Sequence, residues 1–422
     1  MEKIFKFFGK EYGNINQAAL LLGLFAFFSQ VLGLIRDRLL AHFIGPGQTL
    51  DIYYAAFRVP DFIFISIASL ASITVIIPFL ADRMKEGVVT VPAQKFLNDI
   101  FTVFLSTIVL VSVIVFFLMP LLVNFVTPGF SPLIQSKVVE MSRIMLLSPI
   151  LMGLSNLFGT VTQLFRKFFI YSLSPIFYNI GIILGIIIFY PLFGVHGLAL
   201  GVVVGAFMHF IIQLTSSKYS GFSPRFSFSI NFHDIKLAVL TSFPRTLGLA
   251  MNNLALIAII AFASFFKSGS ISIFNLSLNL QSVPLNIIGI SYAVAAFPTL
   301  VKSFSSGKNS EFKDHLVRAA RAIIFWSIPI TFIFIVVRAQ IVRVVLGSPS
   351  FSWENTRLVA ASLAIFSVSI LAQGMIALLS RAHYARGDTK TPLFINLFSS
   401  VSIIFFAYGF IYLIMFYCFN IS

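Results

Sequence analysis

The chain has 422 residues, of which 58% are hydrophobic and only 10% charged, with a mean hydropathy of +0.98. Soluble domains carry about 25% charged residues, so this composition excludes a soluble globular protein and indicates a polytopic membrane protein. The net charge of +15 would suggest nucleic acid in a soluble protein. Here it reads as Lys and Arg gathered in cytoplasmic loops beside anionic lipid, with no nucleic-acid partner expected.

About eleven apolar segments are long enough to span a bilayer, at 17–44, 51–80, 98–126, 140–164, 169–191, 194–215, 235–265, 270–301, 316–346, 356–380 and 391–418. Ahead of the first, Lys3, Lys6 and Lys10 form a basic lead. The first segment contains Leu34-Ile35-Arg36-Asp37-Arg38-Leu39-Leu40. Charges placed past the middle of a span cost a few kcal/mol or more and tend to face a bundle interior or a water-filled cavity. Arg36 and Asp37 are therefore candidates for a cavity, with Gln30 beside them. Arg38 is close enough to the end of the span to snorkel. The second segment holds Asp51, Arg58, Pro60 and Asp61, and Pro60 is expected to kink it.

Lys and Arg alternate between loops. Arg83, Lys85 and Lys95, then Arg166 and Lys167, Lys218 to Lys236, Lys302 to Arg321, and Arg381 to Lys390 fall on one side with the N-terminus. The loops between are poor in both residues. The positive-inside rule makes the first set, and the N-terminus, cytoplasmic. The widest gap, Ser216 to Asp234, alternates Phe and Ser and reads as an extended or interfacial linker. Beyond it, the seventh segment carries Arg245, Asn252 and Asn253, and the eighth carries Asn275, Asn279, Gln281 and Asn286. Arg suits bidentate binding of phosphate, whereas Asn and Gln also cross-link membrane helices.

The chain repeats itself. Pro175-Ile176-Phe177-Tyr178-Asn179 recurs as Pro392-Leu393-Phe394-Ile395-Asn396, and the run after Pro78 recurs after Pro298, at offsets of about 220 residues. An even number of spans in the first half makes the repeats parallel, about an axis along the membrane normal. The expected architecture is all-α, with two parallel-repeat helix bundles around a central cleft and about 11–12 transmembrane helices. Residues 1–216 form an N-terminal six-helix bundle, 217–234 a cytoplasmic linker, and 235–422 a C-terminal bundle that on this offset lacks its last helix or helices.

No catalytic constellation is present. The fourteen carboxylates lie mostly in loops, and no nucleophile elbow or phosphate-binding glycine loop occurs. A single cysteine, Cys418, excludes an intrachain disulfide and a Cys-based metal site, and the six histidines show no ligand spacing. The expectation is a transporter rather than an enzyme, with no cofactor and no metal, working as a monomer.

The motifs Ser29-Gln30-Val31-Leu32-Gly33-Leu34-Ile35-Arg36-Asp37, Phe43-Ile44-Gly45, Asp51, Phe57-Arg58-Val59-Pro60-Asp61, Thr127-Pro128-Gly129-Phe130, Ser174-Pro175-Ile176-Phe177-Tyr178-Asn179, and Gly387-Asp388-Thr389-Lys390-Thr391-Pro392 resemble, in order, those of the MurJ (MviN) lipid II flippase family. That family belongs to the multidrug/oligosaccharidyl-lipid/polysaccharide exporter superfamily. The resemblance implies a MATE-like pair of bundles around a cationic cavity. It also implies translocation of an undecaprenyl-diphosphate-linked peptidoglycan precursor across the bacterial inner membrane by alternating access, in the service of cell-wall synthesis and cell shape. Arg36, Asp37, Asp51 and Arg58 match the family's first- and second-span charged positions, and Asn279 stands where the family has an Arg facing the diphosphate. These five are the expected substrate contacts, with Gln30, Arg245, Asn252, Asn253 and Gln281 as further polar lining. The implied partners are a lipid-linked oligosaccharide, membrane lipids and a coupling ion. The sequence departs from the family at Phe64 and Ile65, at Ser69 and Leu70, and at Ser282, where the family has basic or acidic groups. Two alternatives stay open: an ion-coupled exporter of another lipid-linked saccharide or drug, and a non-transporting membrane scaffold.

Overall fold

A computed structural model describes residues 15–68, 76, 80, 83, 90–220 and 222–420. Among the described residues the regular structure is helical, and no strand is present. Among the described residues, nine helices are long and apolar enough to cross a membrane, or ten when the bent pair Trp353–Val368 and Ile370–Ala385 counts as one span. The remaining expected span, 51–80, is described continuously only as far as Ala68. It is also broken: after α1 (Ile15–Phe43) come helices α2 (Gln48–Ala56) and α3 (Arg58–Ala68). The Pro78 half of the proposed repeat lies outside the described residues.

By packing, the chain divides into two compact units. The first is Met1–Arg36, Ile52–Phe265 and Ser402–Ser422; the second is Asp37–Asp51 and Phe266–Val401. Packing and repeat draw different boundaries. The Phe232–Ala263 helix follows the linker in sequence, yet it packs on α3 and on Val91–Val126 of the first unit.

Prolines shape the first unit. A proline lacks the N–H that would bond the carbonyl four residues earlier, and in a membrane that carbonyl needs another donor. Three such carbonyls receive a side chain here. Pro60 releases the carbonyl of Ala56, which accepts from Ser142 Oγ at 3.1 Å. Pro120 releases that of Phe116, which accepts from Arg143 Nε at 3.1 Å. Pro175 releases that of Tyr171, which accepts from Gln213 Nε2 at 3.4 Å. Each bond also ties the proline-bearing helix to a neighbour. Where Phe168–Leu184 and the π-helical turn Gly185–Phe189 after it meet Val195–Tyr219, Gly181 faces Gly205 and Gly185 faces Gly201, so closely that an added Cβ would strike backbone. This is the small-residue packing membrane helices use when no hydrophobic effect drives them together.

The linker is extended, as its Phe/Ser alternation predicts. Gln94, Asn98 and Thr102 stand four residues apart on Val91–Val126 and bond Ser223 O, Arg225 N and Ser227 N, which stand two apart. Two extended residues and one helical turn advance the chain by nearly the same length, about 6 Å, so the two ladders stay in step. Phe222 is buried beneath it, while Phe228 is fully exposed.

In the second unit, Ser291–Ser305, Asn309–Val336 and Ile370–Ala385 pack around Ala293, Ile323 and Leu378. Gly289, in a π-helical turn after Pro284, faces Gly374. The chain turns into its last helix at Gly387, which has φ +77°. Asp388 then accepts from the backbone N–H groups of Lys390 and Thr391 at 3.1 and 3.0 Å, capping the first turn. That gives a structural reason for the Gly-Asp-Thr-Lys-Thr-Pro run. Those bonds, with the Thr391 side chain first and His383 assisting, hold the Asp388 carboxyl below the usual carboxylate range.

Candidate functional site

Arg36 lies half-buried on the Ile15–Phe43 helix. Its Nη1 donates to Asn179 Oδ1 at 3.4 Å. Asn179 is fixed from its other end, where Nδ2 donates to Ser29 Oγ at 3.2 Å and to Pro175 O at 3.1 Å. One amide thus joins the first span to the fifth and aims its oxygen at the guanidinium. Such a group would be costly to bury unpartnered.

Arg58 opens α3 just past the break at Phe57, and Asp61 follows one helical turn later. The two interact electrostatically. Asp61 lines a cavity of about 170 Å³ together with Tyr178 and Ser148, walled by Pro60, Phe64 and Met152. The Tyr178 hydroxyl is hydrogen-bonded with Ser148 and lies within the fields of both Asp61 and Arg36. Arg36, Arg58, Asp61, Tyr178 and Asn179 all belong to the first unit. Tyr178 and Asn179 were visible in the sequence only as part of a repeat and a family motif, and Ser148 carried no signal. Their part in the site follows from packing between helices distant in sequence.

The other expected residues are placed as follows. In the first unit, Gln30 is half-buried on the first span. Asn252 is exposed, and Asn253 Nδ2 donates to Leu249 O at 3.3 Å. The side chain of Arg245 lies outside the described residues. In the second unit, Asp37 is buried at 3% exposure. Asp51, at 2% exposure, accepts from Gly269 N at 2.6 Å, from Ser272 N at 2.7 Å and from the Ser272 hydroxyl. Its carboxylate therefore caps the Ser270–Pro284 helix and complements its dipole. Asn279 is half-buried on that helix, and Gln281 is buried and donates to Ser369 Oγ at 3.3 Å, at the 43° bend between Trp353–Val368 and Ile370–Ala385. Arg38 is exposed, and its Nη1 donates to Val344 O at 2.6 Å, capping the C-terminal end of Arg338–Leu346. It serves a helix terminus, as a cation there should.

Among the described residues no cluster of three His, Cys, Asp or Glu could hold a metal ion. Two arginines inside a membrane bundle, one oriented by an amide and one balanced by a carboxylate, suit a doubly charged oxyanion better than a cation.

The family model for the lipid II flippase MurJ matches residues 40–422. A probable lipid II flippase MurJ of Rhizobium tropici is 26% identical over 375 residues, covering 86% of this chain and 70% of that protein. One of Borreliella burgdorferi is 26% identical over 400 residues, covering 93% and 77%. Among solved structures, a lipid II flippase MurJ in an inward closed conformation superposes with TM-score 0.78 at 23% identity, over 92% of this chain and 80% of that one. An inward-facing MATE-family multidrug transporter superposes with TM-score 0.66 at 14% identity, over 93% and 98%.

Proposed function

The chain belongs to the lipid II flippase MurJ family, and from that membership and the site geometry we propose that it carries lipid II across the bacterial inner membrane, with Arg36 and Arg58 as the ligands of the diphosphate. It is a multi-pass membrane transporter of that family. The observation that carries the reading is the Arg36–Asn179 pair inside the span bundle, in the unit that also holds Arg58.

The physical problem for such a protein is a diphosphate that must lose water to enter a bilayer. An unpaired ion pays a large desolvation penalty there unless fixed donors replace the water. Arg presents five N–H donors in a planar fork, which matches phosphate oxygens two at a time. Asn179 fixes one edge of the Arg36 fork, so less side-chain entropy remains to be lost on binding. Asp37, next in sequence, keeps the local charge balanced when no substrate is bound. The polyprenyl tail can stay in lipid while the headgroup crosses, and the site opens to each face in turn. With Asn279 where the family carries a further Arg, this reading leaves the diphosphate to Arg36 and Arg58.

Family membership favours neither the drug-exporter nor the scaffold alternative. Growth of a strain depleted of its own flippase, restored by this chain and not by Arg36→Ala, tests the reading; failure of the wild type at normal membrane levels contradicts it. A cytoplasmic N-terminus is part of the proposal, supported by the basic loops. With Cys418→Ser as background, Ser306→Cys should label only from the cytoplasmic side and Gly194→Cys only from outside. Equal labelling of both from outside overturns the topology.

A further inference from the structure

Asp61 has no part in the transport scheme above, yet it lines a cavity inside the first unit. We propose that the Asp61 carboxylate is a proton-binding site whose occupancy controls how strongly Arg58 attracts the substrate anion, an inference that rests in its second half on the reading of Arg58 as a diphosphate ligand.

Three observations carry it. The first is the placement of an ionisable side chain in a membrane-spanning bundle, where such groups are rare and mark ion or proton pathways. The second is space: a cavity of about 170 Å³ exceeds the tens of Å³ one water needs, and its polar lining of Asp61, Tyr178 and Ser148 gives water partners. The third is the charge one turn away. Asp61 and Arg58 interact electrostatically on α3, so adding a proton to one changes the field at the other.

The chemistry of the lining selects a proton over a metal cation. The cavity offers one carboxylate and two hydroxyls, short of the oxygen shell that hard cations require, and the Arg58 charge repels a cation. A proton needs one oxygen: water in the cavity, as hydronium, gives H⁺ to a carboxylate oxygen, forming a neutral carboxylic acid and leaving water. The reverse step returns the ion pair.

The neighbouring titratable groups are otherwise occupied. Tyr178 faces Asp61 across the cavity and bonds Ser148, with Arg36 near it. The Leu147–Leu164 helix carries no acidic or basic residue. On Pro132–Met145 and Val195–Tyr219, Glu140 pairs with His196, Arg143 bonds Phe116 O, and His209 bonds Ser155, while Lys137, Lys218 and Tyr219 lie toward the helix ends. On Val91–Val126, Asp99 bonds the linker and Lys95 lies in the first turns. On Phe232–Ala263, Asp234 pairs with Arg83, His233 and Lys236 lie in the first turns, and Arg245 stands nearer the middle of the helix as a further cation.

Protonated, Asp61 no longer offsets Arg58, and the anion is held more tightly. Deprotonated, it competes with the diphosphate for the same guanidinium.

Two measurements test this on the full chain in nanodiscs. The first needs no substrate. pH-difference infrared spectra between about pH 9 and about pH 5 should show a carboxylic-acid C=O band that grows on acidification in the wild type and is absent from Asp61→Asn. Identical bands in both proteins, or no titrating difference between them, overturn the proton site. The second uses fluorescent lipid II, whose diphosphate diester keeps both charges over this range. Wild-type affinity should tighten by about tenfold on acidification, while Asp61→Asn should bind at the tight value at every pH. A titrating band with pH-independent affinity overturns the coupling to Arg58. Absence of lipid II binding by the wild type contradicts the flippase reading and overturns the coupling with it, and the infrared arm still decides the proton site.

Discussion

Asp51 and Asp61 flank, in sequence, the same break at Phe57, and both lie in what reads as one apolar span. Asp51, in the second unit, is saturated: two backbone N–H groups and a serine hydroxyl converge on it at the start of the Ser270–Pro284 helix. Asp61, in the first unit, lines a polar cavity and has an arginine one turn away. A carboxylate in a membrane segment is costly in either place. In one it is offset by bonds that hold a helix end, and in the other by a charge pair that a proton or an anion can change. The same division runs through the arginines, since Arg38 caps a helix terminus while Arg36 is presented by an amide.

The largest effect expected from this contrast is on transport. Arg36→Ala should abolish rescue of flippase-depleted cells with membrane levels near those of the wild type, and Arg36→Lys, a point charge without the fork, should rescue in part. Rescue by Arg36→Ala would place Arg36 with Arg38, among the structural cations. Next, Asp51→Ala should lower stability by about 1–3 kcal/mol, because it strips buried donors of their acceptor, while Asp61→Asn should leave the melting temperature in detergent close to that of the wild type. If Asp61→Asn destabilises as much as Asp51→Ala, the distinction between them is lost.

A smaller effect is expected at Asn179. Asn179→Ala should slow flipping by about three- to tenfold, equivalent to roughly 1 kcal/mol of lost orientation, with the charge of Arg36 intact; an unchanged rate would remove the orienting role. The smallest concerns Asp388, the half-buried counterpart of Asp51. Its pKa is depressed in the folded state, so its contribution is present above the unfolded value near ~3.9 and is lost only as pH falls through the lower folded value. The difference in melting temperature between wild type and Asp388→Asn should therefore hold from neutral pH down to about pH 4 and shrink below it. A difference that disappears between neutrality and pH 5 would mean that Asp388 is not held by the cap.

The contrast also shows what the sequence could and could not reveal. Spans, the charge at Arg36 and the break near Pro60 were legible because each is local: twenty apolar residues, an ion among them, a missing N–H. The alternation of Phe and Ser in the linker was legible as an extended segment, because period two belongs to the backbone. The partners were not. Asp51 meets Gly269 and Ser272 across more than two hundred residues, and nothing near Asp51 distinguishes a helix cap from a cavity acid. Asn179 read as a motif residue, and its bond to Arg36 exists only because the fifth span packs beside the first. The bundle boundary was read from the repeat, whereas packing assigns Phe232–Ala263 to the first unit, which no periodicity encodes.

The most direct test of the central claim, that this chain moves lipid II by means of the arginine site in its first unit, is flipping of fluorescent lipid II in proteoliposomes, read by quenching from outside. The wild-type chain should bring inner-leaflet label to the quencher well above the rate of protein-free vesicles, and Arg36→Ala should fall to the protein-free rate. Wild-type vesicles no faster than empty ones, or Arg36→Ala as fast as the wild type, would contradict it.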